Sequence, residues 1–164
     1  MKMMYKSKRI LLNMVSGLII TAVYITYALG SDAPAAEDVR SWAILILTYI
    51  GAIVVASIVI QVIFHIAMAI GISIKEGDCD DAEVERVMNT SMMEDEMDRT
   101  ISLKASRIAH IFIGIGAFAM FLALASEEPT VIAMHVLLGA LVIGSFLEAF
   151  MCLYYYEKGV GYGQ

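Results

Sequence analysis

Four long apolar runs, at about residues 10–30, 42–74, 108–126 and 130–156, leave this chain few ways to fold. Each reaches the roughly 20 residues that a helix needs to cross the hydrocarbon core of a bilayer. In lipid a backbone must satisfy its own hydrogen bonds, and none of the runs alternates polar with apolar residues as a barrel strand would. The expected fold is therefore all-α: a polytopic bundle of four transmembrane helices forming one domain over residues 1–164. With 60% hydrophobic residues, only 17% charged and 164 residues in all, the runs leave no room for a separate soluble catalytic domain.

The first run follows Lys2, Lys6, Lys8 and Arg9, as a secretory leader would, and Ala28-Leu29-Gly30 resembles a cleavage site. Its apolar part outlasts the roughly 7–15 residues of a leader, so an uncleaved signal anchor is expected. Four bases precede the first run, five (Lys75, Arg86, Arg99, Lys104, Arg107) lie between the second and third, and Lys158 follows the fourth; the other side has only Arg40. The positive-inside rule then puts both termini and the 75–107 loop on the cytoplasmic side of the membrane. Tyr24, Tyr27 and Trp42 at one boundary and Tyr154, Tyr155 and Tyr156 at the other read as interfacial belts.

Residues 51–57, Gly-Ala-Ile-Val-Val-Ala-Ser, resemble residues 139–145, Gly-Ala-Leu-Val-Ile-Gly-Ser, and Arg9-Ile10 is echoed by Arg107-Ile108. Two duplicated helical hairpins would produce this pattern. Ala52 with Ala56, and Ala140 with Gly144, are small residues four apart on one helix face, a spacing that lets membrane helices approach closely. The second and fourth helices are expected to pack through these faces, within the bundle or across a homodimer.

The 75–107 loop holds ten acids and five bases. Asp78-Cys79-Asp80-Asp81 lacks the alternating ligands of a calcium loop, because Ala82 and Glu83 break the register, so no metal site is expected. Cys79 and Cys152 have no paired spacing and read as free thiols. Residues 82–88 carry Val84, Val87 and Met88 on one side of a short surface helix. Ser91 and Glu94 form a capping box, from which a helix should run unbroken into the third span. There Asp95 pairs with Arg99, and Asp95, Glu96, Asp98, Arg99 and Lys104 form a charged face suited to docking a cytoplasmic protein. The net charge of −6 argues against direct nucleic-acid binding.

The sequence Asp95-Glu96-Met97-Asp98-Arg99-Thr100-Ile101, continuing through Lys104-Ala105 into Arg107-Ile108, resembles a box found just before the third span in a group of uncharacterised small four-span prokaryotic membrane proteins. Met97 stands where that group usually has arginine. Members often accompany helix-turn-helix regulators, and the resemblance therefore implies a sensing or regulatory membrane partner without catalytic activity.

Gln61, His65, His110 and Glu148 are polar residues inside apolar runs, where such groups usually face the bundle interior. Counted from Trp42 and Thr130, Gln61 and Glu148 fall at similar depth, with His65 and His110 nearby, so the four are expected to converge near the inner leaflet. Interhelical hydrogen bonding, proton or ligand sensing by a histidine beside a carboxylate, and ligation of haem or a metal by the histidines and Glu148 all fit such a cluster. His135 lies in the other half of the membrane. No nucleophile-base constellation or phosphate loop is present. The reading is a non-enzymatic membrane protein acting through its cytoplasmic loop in sensing, regulation or scaffolding, with no cofactor. A small transporter or a haem-bearing redox subunit is the alternative.

Overall fold

The computed structural model describes residues 2–76 and 96–158. Within them lie α1 (Lys2–Ala28), α2 (Val39–Glu76), α3 (Glu96–Ala125) and α4 (Thr130–Lys158). All four are long and apolar enough to cross a membrane, and the chain is built as a multi-pass membrane protein. Helices alternate in direction, so one end of the bundle holds the two short connections, the turn end, and the other holds the N-terminus, the C-terminal end of α4 and the facing ends of α2 and α3, the terminus end. The capping box and the 82–88 helix lie outside the described residues.

α4 is the hub. It packs most extensively on α3, then on α1 and least on α2, while α2 leans chiefly on α1. Most large apolar side chains point outward, among them Val54, Val55, Ile58, Ile63 and Ile66 of α2 and Ile111, Ile115, Phe118 and Phe121 of α3. A helix apolar all round suits a solvent that is itself apolar.

Local chemistry ends each helix. Asp38 caps α2, its Oδ1 accepting from the Ser41 N–H at 3.0 Å, the usual way to satisfy an orphan amide of the first turn. At the other hairpin the Glu128 N–H bonds the Ala123 carbonyl (3.2 Å) and the Glu127 N–H bonds that of Leu124 (3.3 Å), a Schellman closure. Glu127 sits at φ 60°, a left-handed position that glycine would occupy without strain. Pro129 follows and its carbonyl accepts from Ile132 at 2.8 Å, starting α4 after only residues 126–129.

That tight turn sets the register of α3 on α4. A Cβ on Gly116 would collide with that of Ala140, and one on Gly144 would come within 3.2 Å of the Ala109 carbonyl oxygen. Ala105, Ala109 and Gly116 of α3 and Ala133 and Gly144 of α4 are buried, so the seam is built of small residues through which backbones nearly touch. The α1–α2–α4 junction differs, filling its gap with Tyr24, Tyr49 and Leu138 packed among Ile20, Leu45, Ile53 and Val142.

Candidate functional site

Toward the terminus end the α3–α4 seam turns polar. The Tyr156 hydroxyl donates to Asp98 Oδ1 at 2.9 Å, and both residues are buried, at 8% and 7% exposure. Two turns further in, the Ser106 hydroxyl donates to Glu148 Oε1 at 2.5 Å. The two rungs are reciprocal: acid on α3 with hydroxyl on α4, then hydroxyl on α3 with acid on α4. Ile101 and Ala105, at 1% and 0% exposure, close the space between them. His110 adds a third contact, since its Nδ1 lies 2.6 Å from the Ser106 carbonyl; a carbonyl only accepts, so Nδ1 carries the hydrogen. The imidazole itself is exposed.

α1 supplies the flank of this seam. Gly17 lies against Phe146, and Arg9 is within electrostatic reach of the Tyr156 hydroxyl. Asn13 shares their face of α1, four residues from each, and its Oδ1 is buried with no hydrogen-bond partner among the described residues. Cys152, a free thiol, lies on α4 one turn from both Glu148 and Tyr156. Chemically, the rungs hold the first three turns of α3 to the last three of α4. A hydrogen bond to a charged group is worth about 1.5–3 kcal/mol, and a buried acceptor stripped of its donor costs a comparable amount.

A second network lies at the turn end. His135 Nδ1 is 2.7 Å from the Val131 carbonyl, so Nδ1 carries the hydrogen and Nε2 accepts from the Tyr24 hydroxyl at 2.9 Å. Thr21 donates to the Gly17 carbonyl at 2.7 Å, and therefore accepts from Tyr49 at 2.9 Å. Trp42 meets the His135 ring edge-on at 4.9 Å and donates from Nε1 to the Ala35 carbonyl at 3.1 Å. Trp42 and Tyr24 are buried and join α1, α2 and α4.

Of the four polar residues expected to converge, His110 and Glu148 share a neighbour, Ser106. Trp42 stands against His135, and Tyr49 packs in the cluster holding Leu138 and Val142. Gln61 is exposed and His65 half-exposed, and no hydrogen bond among the described residues joins either to Ser106, His110 or Glu148.

The docking face changes as well. Asp98 is not a surface charge: it is buried against Tyr156. Glu96, Arg99 and Lys104 are exposed, Thr100 bonds back to the Glu96 carbonyl at 2.9 Å, and Asp95 lies outside the described residues. Within one chain the small face of α4, Ala140 and Gly144, is occupied by α3 and not by α2. Ala52 is exposed and Ala56 half-exposed, so the two similar segments stand in different surroundings. Of the tyrosine triplet only Tyr156 is buried, while Tyr154 is exposed, with the Lys158 ammonium 5.1 Å from its ring.

The sequence reading missed Ser106, Tyr156 and Asn13 as seam residues. A signal for the first two was present, since folding the chain back at Glu127 puts Ser106 opposite Glu148 and Asp98 opposite Tyr156 at equal distances along the chain. No known protein family, no curated protein and no solved structure matches the chain.

Proposed function

We propose that this multi-pass protein lies in the prokaryotic cytoplasmic membrane with both termini and the segment between α2 and α3 inside the cell, and that it serves as a non-catalytic sensing, regulatory or scaffolding partner. The distribution of Lys and Arg supports the orientation. One observation carries the functional reading: α3 runs without a break from Glu96 to Ala125, and its first three turns are tied to α4 by Tyr156–Asp98 and Ser106–Glu148. A rigid rod of this kind conveys any displacement of α4 to the start of α3, where Arg99 and Lys104 are exposed, and to the segment that precedes it. The resemblance of residues 95–108 to the box of small four-span prokaryotic proteins points to the same regulatory class.

The test is capture of cytoplasmic partners by the purified protein and by the Asp95→Lys/Glu96→Lys variant, which leaves Asp98 in place. Reversed charge should abolish capture by repelling a basic partner, with membrane levels unchanged. Recovery of the same proteins by both would reduce the segment to a solvated connector. Orientation is checked separately: a cysteine placed at Glu128 should react with an impermeant thiol reagent in intact cells, and Cys79 only after lysis.

A further inference from the structure

α2 carries two polar side chains that the bundle leaves unmet. Between Tyr49 and His65 every residue of this helix is apolar except Ser57 and Gln61, and both lie within the span Val39–Ala67. Gln61 is exposed and Ser57 half-exposed, and neither side chain hydrogen-bonds another described residue. On a soluble protein water would complete such an amide. The hydrocarbon core has no donor or acceptor to offer, and polar side chains within spans are usually turned inward or paired.

Their place on the helix marks one face. Residues 47, 50, 54, 57 and 61 step alternately by three and four, the spacing of a seam between two helices, and the first three of them, Leu47, Ile50 and Val54, are exposed. Leu45, Tyr49 and Ile53, which pack in the α1–α2–α4 cluster, lie to one side of this row, so it stays open while α2 rests on α1. A polar side chain in such a seam fixes its register and the number of helices that share it. Lipid chains would cover Leu47, Ile50 and Val54 equally well, but would leave the amide of Gln61 without a partner. The occupant has to bring a donor and an acceptor to the depth of Gln61.

A second copy of the chain does so by symmetry. Two chains inserted in the same sense and related by a two-fold axis along the membrane normal set each α2 residue level with its own counterpart. A glutamine amide, with two N–H donors and an acceptor oxygen, is complementary to itself. Residues 41–74 include no Asp, Glu, Lys or Arg, so no like charges oppose the approach. We infer that the protein forms a parallel homodimer through this face of α2, with Gln61 hydrogen-bonded to Gln61 of the partner subunit. Ala52 lies on the opposite side of the helix from Gln61 and takes no part, so the interface differs from the small-residue face. The inference rests on insertion in one sense, as the Lys and Arg distribution supports, and not on the regulatory reading.

The full chain, with Cys79 and Cys152 replaced by serine, is reconstituted in phosphatidylcholine vesicles with single cysteines along α2 and oxidised. Disulfide-linked dimers are expected for Val54→Cys and Ser57→Cys, and not for Ala52→Cys or Val59→Cys on the far side. Association is measured in parallel by energy transfer between donor- and acceptor-labelled chains as the protein-to-lipid ratio is varied. Gln61→Leu should weaken it about tenfold, whereas Gln61→Asn, which keeps a self-complementary amide, should weaken it less. A chain that stays monomeric at every ratio, cross-links as strong at Ala52→Cys and Val59→Cys as at Val54→Cys and Ser57→Cys, or equal association of wild type and Gln61→Leu overturns the assignment.

Discussion

In the α3–α4 hairpin, the parts in contact are backbone and methyl groups: Ala109 against Gly144, Gly116 against Ala140. In the α1–α2 hairpin they are rings and hydroxyls, with Tyr24 and Tyr49 at 4.7 Å between centroids and Thr21 bonded to Tyr49. The chain segments resemble each other, yet one pair of helices is closed by close approach and the other by filling a gap. Dispersion falls steeply with distance, so the first mode extends contact along the whole seam, and an error at any point is felt. The second gathers its ring contacts around Tyr24 and Tyr49 and leaves Ile58, Ile63 and Ile66 of α2 facing outward. A small residue therefore has no fixed meaning in a membrane helix: Gly144 is a contact surface, whereas Gly51, at the start of the segment resembling its own, has nothing within 4 Å of where a Cβ would stand.

The sharpest way to break this comparison is to place the same bulk in both hairpins. Gly144→Ile should push α3 from α4 and lower stability by about 3 kcal/mol, the upper range for overpacking. Gly51→Ile should stay within about 0.5 kcal/mol, as for substitutions touching nothing. Thermal unfolding in detergent checks both, and equal losses would mean that the hairpins do not differ in packing mode.

A smaller effect is expected from the polar part of the seam. Tyr156→Phe removes the donor to Asp98 Oδ1 and should cost about 1–3 kcal/mol, while Tyr24→Phe, which removes a bond only half-buried, should cost about 1 kcal/mol. Hydrogen exchange at the first turns of α3 distinguishes them, since only Tyr156→Phe should speed exchange there. The turns offer a gain in place of a loss. Glu127→Gly relieves the residue at φ 60° and should raise the melting temperature by an amount equivalent to at most about 1 kcal/mol, less the extra freedom glycine has when unfolded.

The smallest effect concerns the other connection and pH. Because the folded carboxyl of Asp38 lies below its ordinary value of 3.8, its contribution to capping is complete above that value and is lost as pH falls through the folded one. Exchange of the Ser41 amide should accelerate, relative to its intrinsic rate, only in that acid range. Acceleration starting at neutral pH would mean that another group controls the start of α2.

Much of the candidate seam was legible from the turn. Four residues between α3 and α4 permit almost no slippage, so pairing residues outward from Glu127 finds Ser106 with Glu148 and Asp98 with Tyr156. The charge pattern hid this, because Asp98 sits among exposed acids and bases and reads as one of them until Tyr156 is placed opposite. Between α1 and α2 the connection is ten residues long, and nothing in it states which turn of one helix meets which turn of the other.

Helix number, span length and the alternation of direction follow from the sequence alone, because a bilayer offers no hydrogen bonds and a run of about 20 apolar residues has only one economical conformation there. Which face of each helix is covered, and which residues stand level with one another, only the tertiary structure decided. In lipid, exposed and buried faces are both apolar, so no hydrophobic period marks the interface. The choice falls to van der Waals fit and a few hydrogen bonds, which do not exist until two helices have met.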